Sequence, residues 1–200
     1  MKNRIIKKAQ ERFLQFGYSR VRVAEIAEEL GISKKTVYNH FDGKEALLYG
    51  VIDQFQVEIE SELESVSKDE GLNYREEVLG ELTVVGNWVN KLSLLLSDLK
   101  RTLPSASVRL WEVQRAVIVE RAMKKLERGV ELGLLEADRR TQTGLFLFLI
   151  AAQRIADPDF RENIPPRLMN ALPGEPKELL QEILLLINDG IKSNTETAHD

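Results

Sequence analysis

The chain contains no cysteine. Disulfides and thiolate metal sites are therefore excluded, and a reducing compartment suits the composition. Histidine is nearly absent: only His40 and His199 occur. With no second histidine or cysteine nearby in the sequence, His40 is not expected to serve as a metal ligand or catalytic base. Acid–base chemistry would rest on carboxylates alone. A phosphate-binding glycine loop and an inward Glu-x-x-His pattern are also missing. The expectation is a protein that is not an enzyme and needs no cofactor or metal. The longest uncharged apolar run, Leu145 to Ala152, is far too short to span a bilayer. The N-terminus MKNRIIKKAQERF holds no apolar run of signal-peptide length. A cytoplasmic protein with no membrane partner is expected.

Proline is missing before Pro104, and no segment alternates strictly between apolar and polar residues. Half-buried strands are not expected; helices are. Hydrophobic residues make up 43% of the 200, enough for a core. The net charge of −4 conceals an asymmetry. Residues 1–50 carry ten basic and six acidic side chains, +4, while the remaining 150 carry eighteen and twenty-six, −8. A basic head on an acidic body suggests that the head alone meets a polyanion, although clustered surface charge would look the same.

Ile5, Ile6, Ala9, Phe13 and Phe16 recur at spacings of three and four, predicting a helix over 3–16 ended by Gly17. Val23, Ile26, Ala27 and Leu30 define a short second helix, 23–30. After Gly31-Ile32-Ser33 a third runs over 34–40, with Ser33 placed to cap it. Asp42 as cap, with Glu45 three positions later, has capping-box spacing and opens a long helix that reaches roughly residue 67. Further helices are expected at 74–99, 105–132, 141–156 and 177–192. Five of the six prolines lie between Pro158 and Pro176, marking a connecting region with a short helix near 167–171. The tail 193–200 is polar.

Two short helices joined by a glycine turn and braced by a third read as a helix-turn-helix. Gly31 tolerates the turn's dihedrals. Val37 and Phe41 face inward. Lys34, Lys35, Thr36, Tyr38, Asn39 and His40 remain free for phosphates and base edges. The stretch IAEELGISKKTVYNHFDGKEALL, preceded by FLQFGY, resembles the DNA-binding head of the TetR/AcrR family of bacterial transcriptional regulators. The likeness covers about residues 5–52, with Ile26-Ala27, Gly31, Ser33, Thr36-Val37-Tyr38, His40-Phe41, Lys44 and Leu47 in register.

The resemblance implies an all-α protein with a three-helix head at 1–46 and a helical effector-binding and dimerisation body at 47–192. It implies a DNA face of Arg22, Val23, Ser33, Lys34, Lys35, Thr36, Tyr38, Asn39, His40 and Lys44, with Lys44 on a phosphate at a helix start. The chain departs from the family pattern at Arg22, usually a capping Ser or Thr, and at Lys35, often Gly. Both departures bear on sequence preference.

One head offers few base contacts, so two copies on symmetric half-sites, a homodimer on a palindromic operator of double-stranded DNA, are expected. The apolar excess of 145–152 and 179–191 makes the last two long helices the expected dimer surface, 141–156 and 177–192. The resemblance also implies a pocket for a small-molecule effector. Asn87, Trp88, Arg109, Trp111, Gln114 and Gln153, tryptophans and polar groups within aliphatic helices, are the candidates to line it. Ordinary core tryptophans and surface polar groups would read the same way. The function expected is a ligand-released repressor. The alternative is a DNA-binding protein of the same fold, controlled by a protein partner or acting in chromosome organisation, without a small-molecule ligand.

Overall fold

The computed structural model describes residues 1–155, 160 and 163–192, and within these leaves out the side chains of 114, 153 and 188–192. Among the described residues all regular structure is helical: α1 (Lys2–Phe16), α2 (Val23–Glu29), α3 (Lys34–Tyr38), α4 (Lys44–Ser67), α5 (Tyr74–Thr102), α6 (Pro104–Glu131), α7 (Arg139–Ile155), α8 (Pro166–Met169) and α9 (Pro176–Lys192). Pro104 and Pro176 each open a helix, where a missing N–H costs nothing because first-turn amides have no intrahelical acceptor. The tail at 193–200 lies outside the described residues, as does most of 156–162.

The chain divides into two compact units, each discontinuous in sequence: Met1–Ser61 with Lys91–Gln114, and Glu62–Asn90 with Arg115 onward. The first unit holds the helix-turn-helix. Ile5, Ala9 and Phe13 of α1, Ile26 and Ala27 of α2, and Val37 of α3 are buried there. So are Leu47, Leu48, Val51, Ile52 and Phe55 of α4, and Leu92, Leu95, Leu96 and Leu99 of α5. Each large side chain removed from water this way contributes about 1.5–3 kcal/mol. The second unit has its own core. Leu82, Phe148, Ala152, Ile155 and Leu180 pack with Val78, Val85, Ile183, Leu184 and Ile187.

Three local expectations need correction. Phe16 is not in the buried stripe of α1; it is exposed, with the Arg12 guanidinium 4.3 Å from its ring centroid. Asp42 does not cap α4. The helix begins at Lys44, its first-turn amide Leu47 N–H donates to Gly43 O at 3.1 Å, and Glu45 accepts from the Tyr49 hydroxyl instead. Helix α3 stops at Tyr38, and Asn39 and His40 continue as a turn.

Candidate nucleic-acid interface and the cavity of the second unit

The helix-turn-helix geometry follows from two residues. Gly31 takes φ +66°, a conformation L side chains rarely adopt, and donates to Glu28 O at 2.9 Å while Ile32 donates to Ala27 O at 2.9 Å. The space where a Gly31 Cβ would stand is empty within 4 Å, so glycine is needed there for dihedral reasons alone. Ser33 then caps α3. Its Oγ accepts the Thr36 N–H at 3.1 Å and lies 2.9 Å from the Thr36 hydroxyl. Arg22, whose side chain cannot accept a hydrogen bond, caps α2 by its backbone alone. Its N–H donates to Glu25 Oε2 at 3.1 Å, and this bond is the leading reason the Glu25 carboxyl titrates below its ordinary value.

Charge on the head is sorted. Of the α1 cations, Lys2, Arg4 and Lys7 carry no ion pair among the described residues, whereas Lys8 and Arg12 have partners on α1 and α2: Lys8 with Glu11 and Glu29, Arg12 with Glu25 and Glu29. The cations of α3 do not. Lys34 and Lys35 are exposed and carry no ion pair among the described residues. Tyr38, Asn39 and His40 stand beside them, exposed, with Tyr38 at 51%. An aromatic that exposed adds nothing to the core. Phe41, by contrast, is buried, and Val37 anchors α3 inward. Val23, placed on the DNA face by its position in the motif, is only 7% exposed and packs into the head core, so its side chain is withdrawn from any ligand.

Lys44 is held rather than loose. Its ammonium sits 4.2 Å from the Tyr18 ring centroid and 3.5 Å from Ser19 O. Partial burial pulls its pKa down, against the opposing pull of Asp98 and Glu25. Ser19 is in turn fixed by Asp98, a buried carboxylate on α5 in the same unit. Asp98 Oδ2 accepts the Ser19 N–H at 2.6 Å and Oδ1 accepts the Ser19 hydroxyl at 2.8 Å. Gly17 leaves the room: at φ +79°, a Cβ there would lie 3.0 Å from Asp98 Oδ2. Tyr18, Ser19 and Asp98 were not legible as part of this site. Tyr18 is marked only by following Gly17, and Asp98 carries no local signal at all.

The second unit holds a half-open cavity of about 160 Å³. Its walls are aliphatic and aromatic, including Leu63, Leu82, Val85, Ile118 and Phe148, and one end is polar, with Tyr74, Glu81, Arg121 and Lys125. Glu81 accepts from Ser67 Oγ at 2.7 Å and Arg121 at 3.1 Å, and lies 3.2 Å from the Lys125 ammonium; Arg121 also reaches Glu64 at 3.1 Å. Lys125 and Arg128 both bind the buried Glu77. Burial works to raise the Glu77 carboxyl, but the hydrogen bond and charge of Lys125, with Arg128 behind, outweigh it and hold the group below its ordinary pKa.

The residues singled out as ligand candidates do not gather here. Asn87 is exposed, and Trp88, 3% exposed, is buried away from the cavity lining. Arg109 and Trp111 belong to the first unit, where Arg109 forms an exposed pair with Asp53 at 2.7 Å and faces the Tyr49 ring. Gln114 and Gln153 are side chains outside the described set. Among the described residues no group of His, Asp or Glu side chains could hold a metal ion, and no helix is long and apolar enough to cross a membrane.

Known proteins resemble this chain in the sequence of its head and in fold. Residues 5–50 match the family model for bacterial regulatory proteins of the tetR family. Over 98% of both chains, the sequence is 24% identical to the uncharacterized HTH-type transcriptional regulator YvaF of Bacillus subtilis (strain 168). It is 25% identical to the HTH-type transcriptional repressor DhaR of Mycobacterium sp. (strain GP1), over 69% of this chain and 71% of that one. The fold extends across 96% of both chains to the fatty acid degradation regulator FadR from Bacillus halodurans, with TM-score 0.65 at 17% identity. The head of this chain is thus a helix-turn-helix of the kind that the tetR family model describes, on a fold shared over nearly the whole chain with solved regulators such as FadR.

Proposed function

We propose that this regulator binds a palindromic operator as a homodimer, with α3 of each copy in the major groove, and that a small molecule in the second unit's cavity releases it. The observation that carries the DNA-binding part is the sorting of charge. Cations that face α2 are neutralised within the head, while Lys34 and Lys35 are left unpaired beside the exposed hydrogen-bonding groups of Tyr38, Asn39 and His40. Unpaired cations next to such groups suit a duplex, where phosphates fix position and base edges supply sequence preference. Lys44 and Arg22 add phosphate contacts at the flanks.

Dimerisation is supported by α7 and α9. Their inner faces meet in the second core, yet Phe146 (61% exposed), Leu147, Ile150 and Leu186 (73% exposed) point outward. Apolar groups left in water at such spacing suit a partner surface. Repression is the sign favoured by the described role of the relative DhaR as a repressor.

Selection of duplex DNA with the purified protein, followed by binding across a salt series, tests the reading. Affinity should fall with log salt at a slope of about −0.9 per neutralised phosphate. A slope near zero, or recovered sites without two-fold symmetry, would refute it. Sedimentation of Phe146→Glu, expected to be monomeric, tests the dimer surface.

A further inference from the structure

Volume and charge pairing together restrict what the cavity of the second unit can hold. We propose that it binds an uncharged, largely apolar molecule the size of one substituted ring, and rejects carboxylates and long chains. The inference rests on reading this cavity as the effector site.

Size is the first argument. An apolar protein cavity of roughly 150 Å³ accommodates benzene, whereas pockets for drug-sized ligands run to about 300–1,000 Å³. At about 160 Å³, this cavity sits at the lower end. A fused polycycle or a twelve-carbon chain exceeds it.

Charge is the second. Every carboxylate at the polar end is already paired: Glu81 with Arg121 and Lys125, Glu77 with Lys125 and Arg128, and the exposed Glu64 with Arg121 and Lys68. The donors there are also in use. The Lys125 ammonium is shared among Glu77, Glu81 and the Ser67 hydroxyl. Arg121 serves Ser67, Glu81 and Glu64. The Tyr74 hydroxyl donates to Lys125 O at 2.8 Å. A ligand carboxylate would have to take a cation from a partner already desolvated beside it, and would leave that partner unpaired. A neutral molecule disturbs none of these bonds and covers the aliphatic wall.

The test uses the full-length protein with toluene, benzoate and dodecanoate, read by thermal shift and calorimetry. Toluene should stabilise and bind; benzoate and dodecanoate should bind at least tenfold more weakly. Ala122→Phe, which adds a ring at the cavity wall, should abolish toluene binding; Val85→Leu should weaken it should the larger change prevent folding. Glu81→Gln removes one negative charge from the cluster and should raise benzoate affinity by about tenfold or more, since a single charge at close range in a partly buried site is worth at least that. Benzoate or dodecanoate binding more tightly than toluene to the unaltered protein, or no toluene binding, overturns the proposal. The effector reading fails separately: toluene would bind while affinity for the selected duplex stays unchanged.

Discussion

Replacing Asp98 tests how the recognition surface is held. Both its carboxylate oxygens are occupied by Ser19, through the backbone N–H at 2.6 Å and the hydroxyl at 2.8 Å, and the side chain is almost entirely buried. Hydrogen bonds to a charged group contribute about 1.5–3 kcal/mol each. Ser19→Ala loses one of them and should cost about 1.5 kcal/mol. Asp98→Asn keeps one acceptor but turns an amide toward a donor, and should cost about 2 kcal/mol. Asp98→Ala leaves the Ser19 N–H without an acceptor and should cost about 3 kcal/mol, which in a chain of this size is a fall in melting temperature of roughly 6–12 °C. Duplex affinity, measured well below that melting point, carries the second readout. Ser19 O helps to hold the Lys44 ammonium, so releasing Ser19 should lower the salt slope of binding by about 1.8 for the dimer, the loss of one phosphate contact per head. The double variant should show coupling of about 1.5 kcal/mol between the two sites. Equal costs for Ser19→Ala and Asp98→Ala, or an unchanged salt slope in the latter, would refute the reasoning.

Other expectations follow from the head and the cluster. Gly31→Ala should cost about 1–2 kcal/mol, all of it from the φ of +66° because the space is open, and Gly31→Asn less; equilibrium unfolding in urea distinguishes them. Lys34→Ala should weaken binding to all duplexes and reduce the salt slope by about 1.8 for the dimer, roughly 0.9 per head, whereas Lys35→Ala should also change which site is selected. Glu77, held below its ordinary pKa in the folded state, binds fewer protons folded than unfolded. The stability it supplies is therefore complete above the ordinary Glu value of about 4.3 and drains as pH falls through the lower folded value. Glu77→Gln should flatten melting temperature against pH in that acid range, and a curve parallel to that of the unaltered chain would count against the cluster.

Local chemistry is what the sequence makes legible. Gly31 and Ser33 can be read directly because a turn and a cap each need a particular residue type at a fixed position. The start of α4 was misplaced because DGKE permits two registers, and Gly43 rather than Asp42 takes the position before Lys44. Val23 sits at the mouth of the motif, yet helix phase turns its side chain inward. The cavity was invisible for a different reason. Leu82, Val85 and Ile118 look like any core aliphatic, and the space between them exists only once five helices have packed. Tryptophans and stray polar groups drew notice by being unusual, but a cavity wall needs nothing unusual. Asp98 lies 79 residues from Ser19, beyond the reach of any periodicity.

That separation affects how the head can be made and moved. The first unit is spliced from two stretches, with Asp98 on the later one. On a ribosome the helix-turn-helix emerges before its carboxylate clamp has been synthesised. A fragment ending near residue 50 contains every group that would read DNA but no acceptor for the Ser19 amide. As a transplantable module, this head must be cut to include the second stretch.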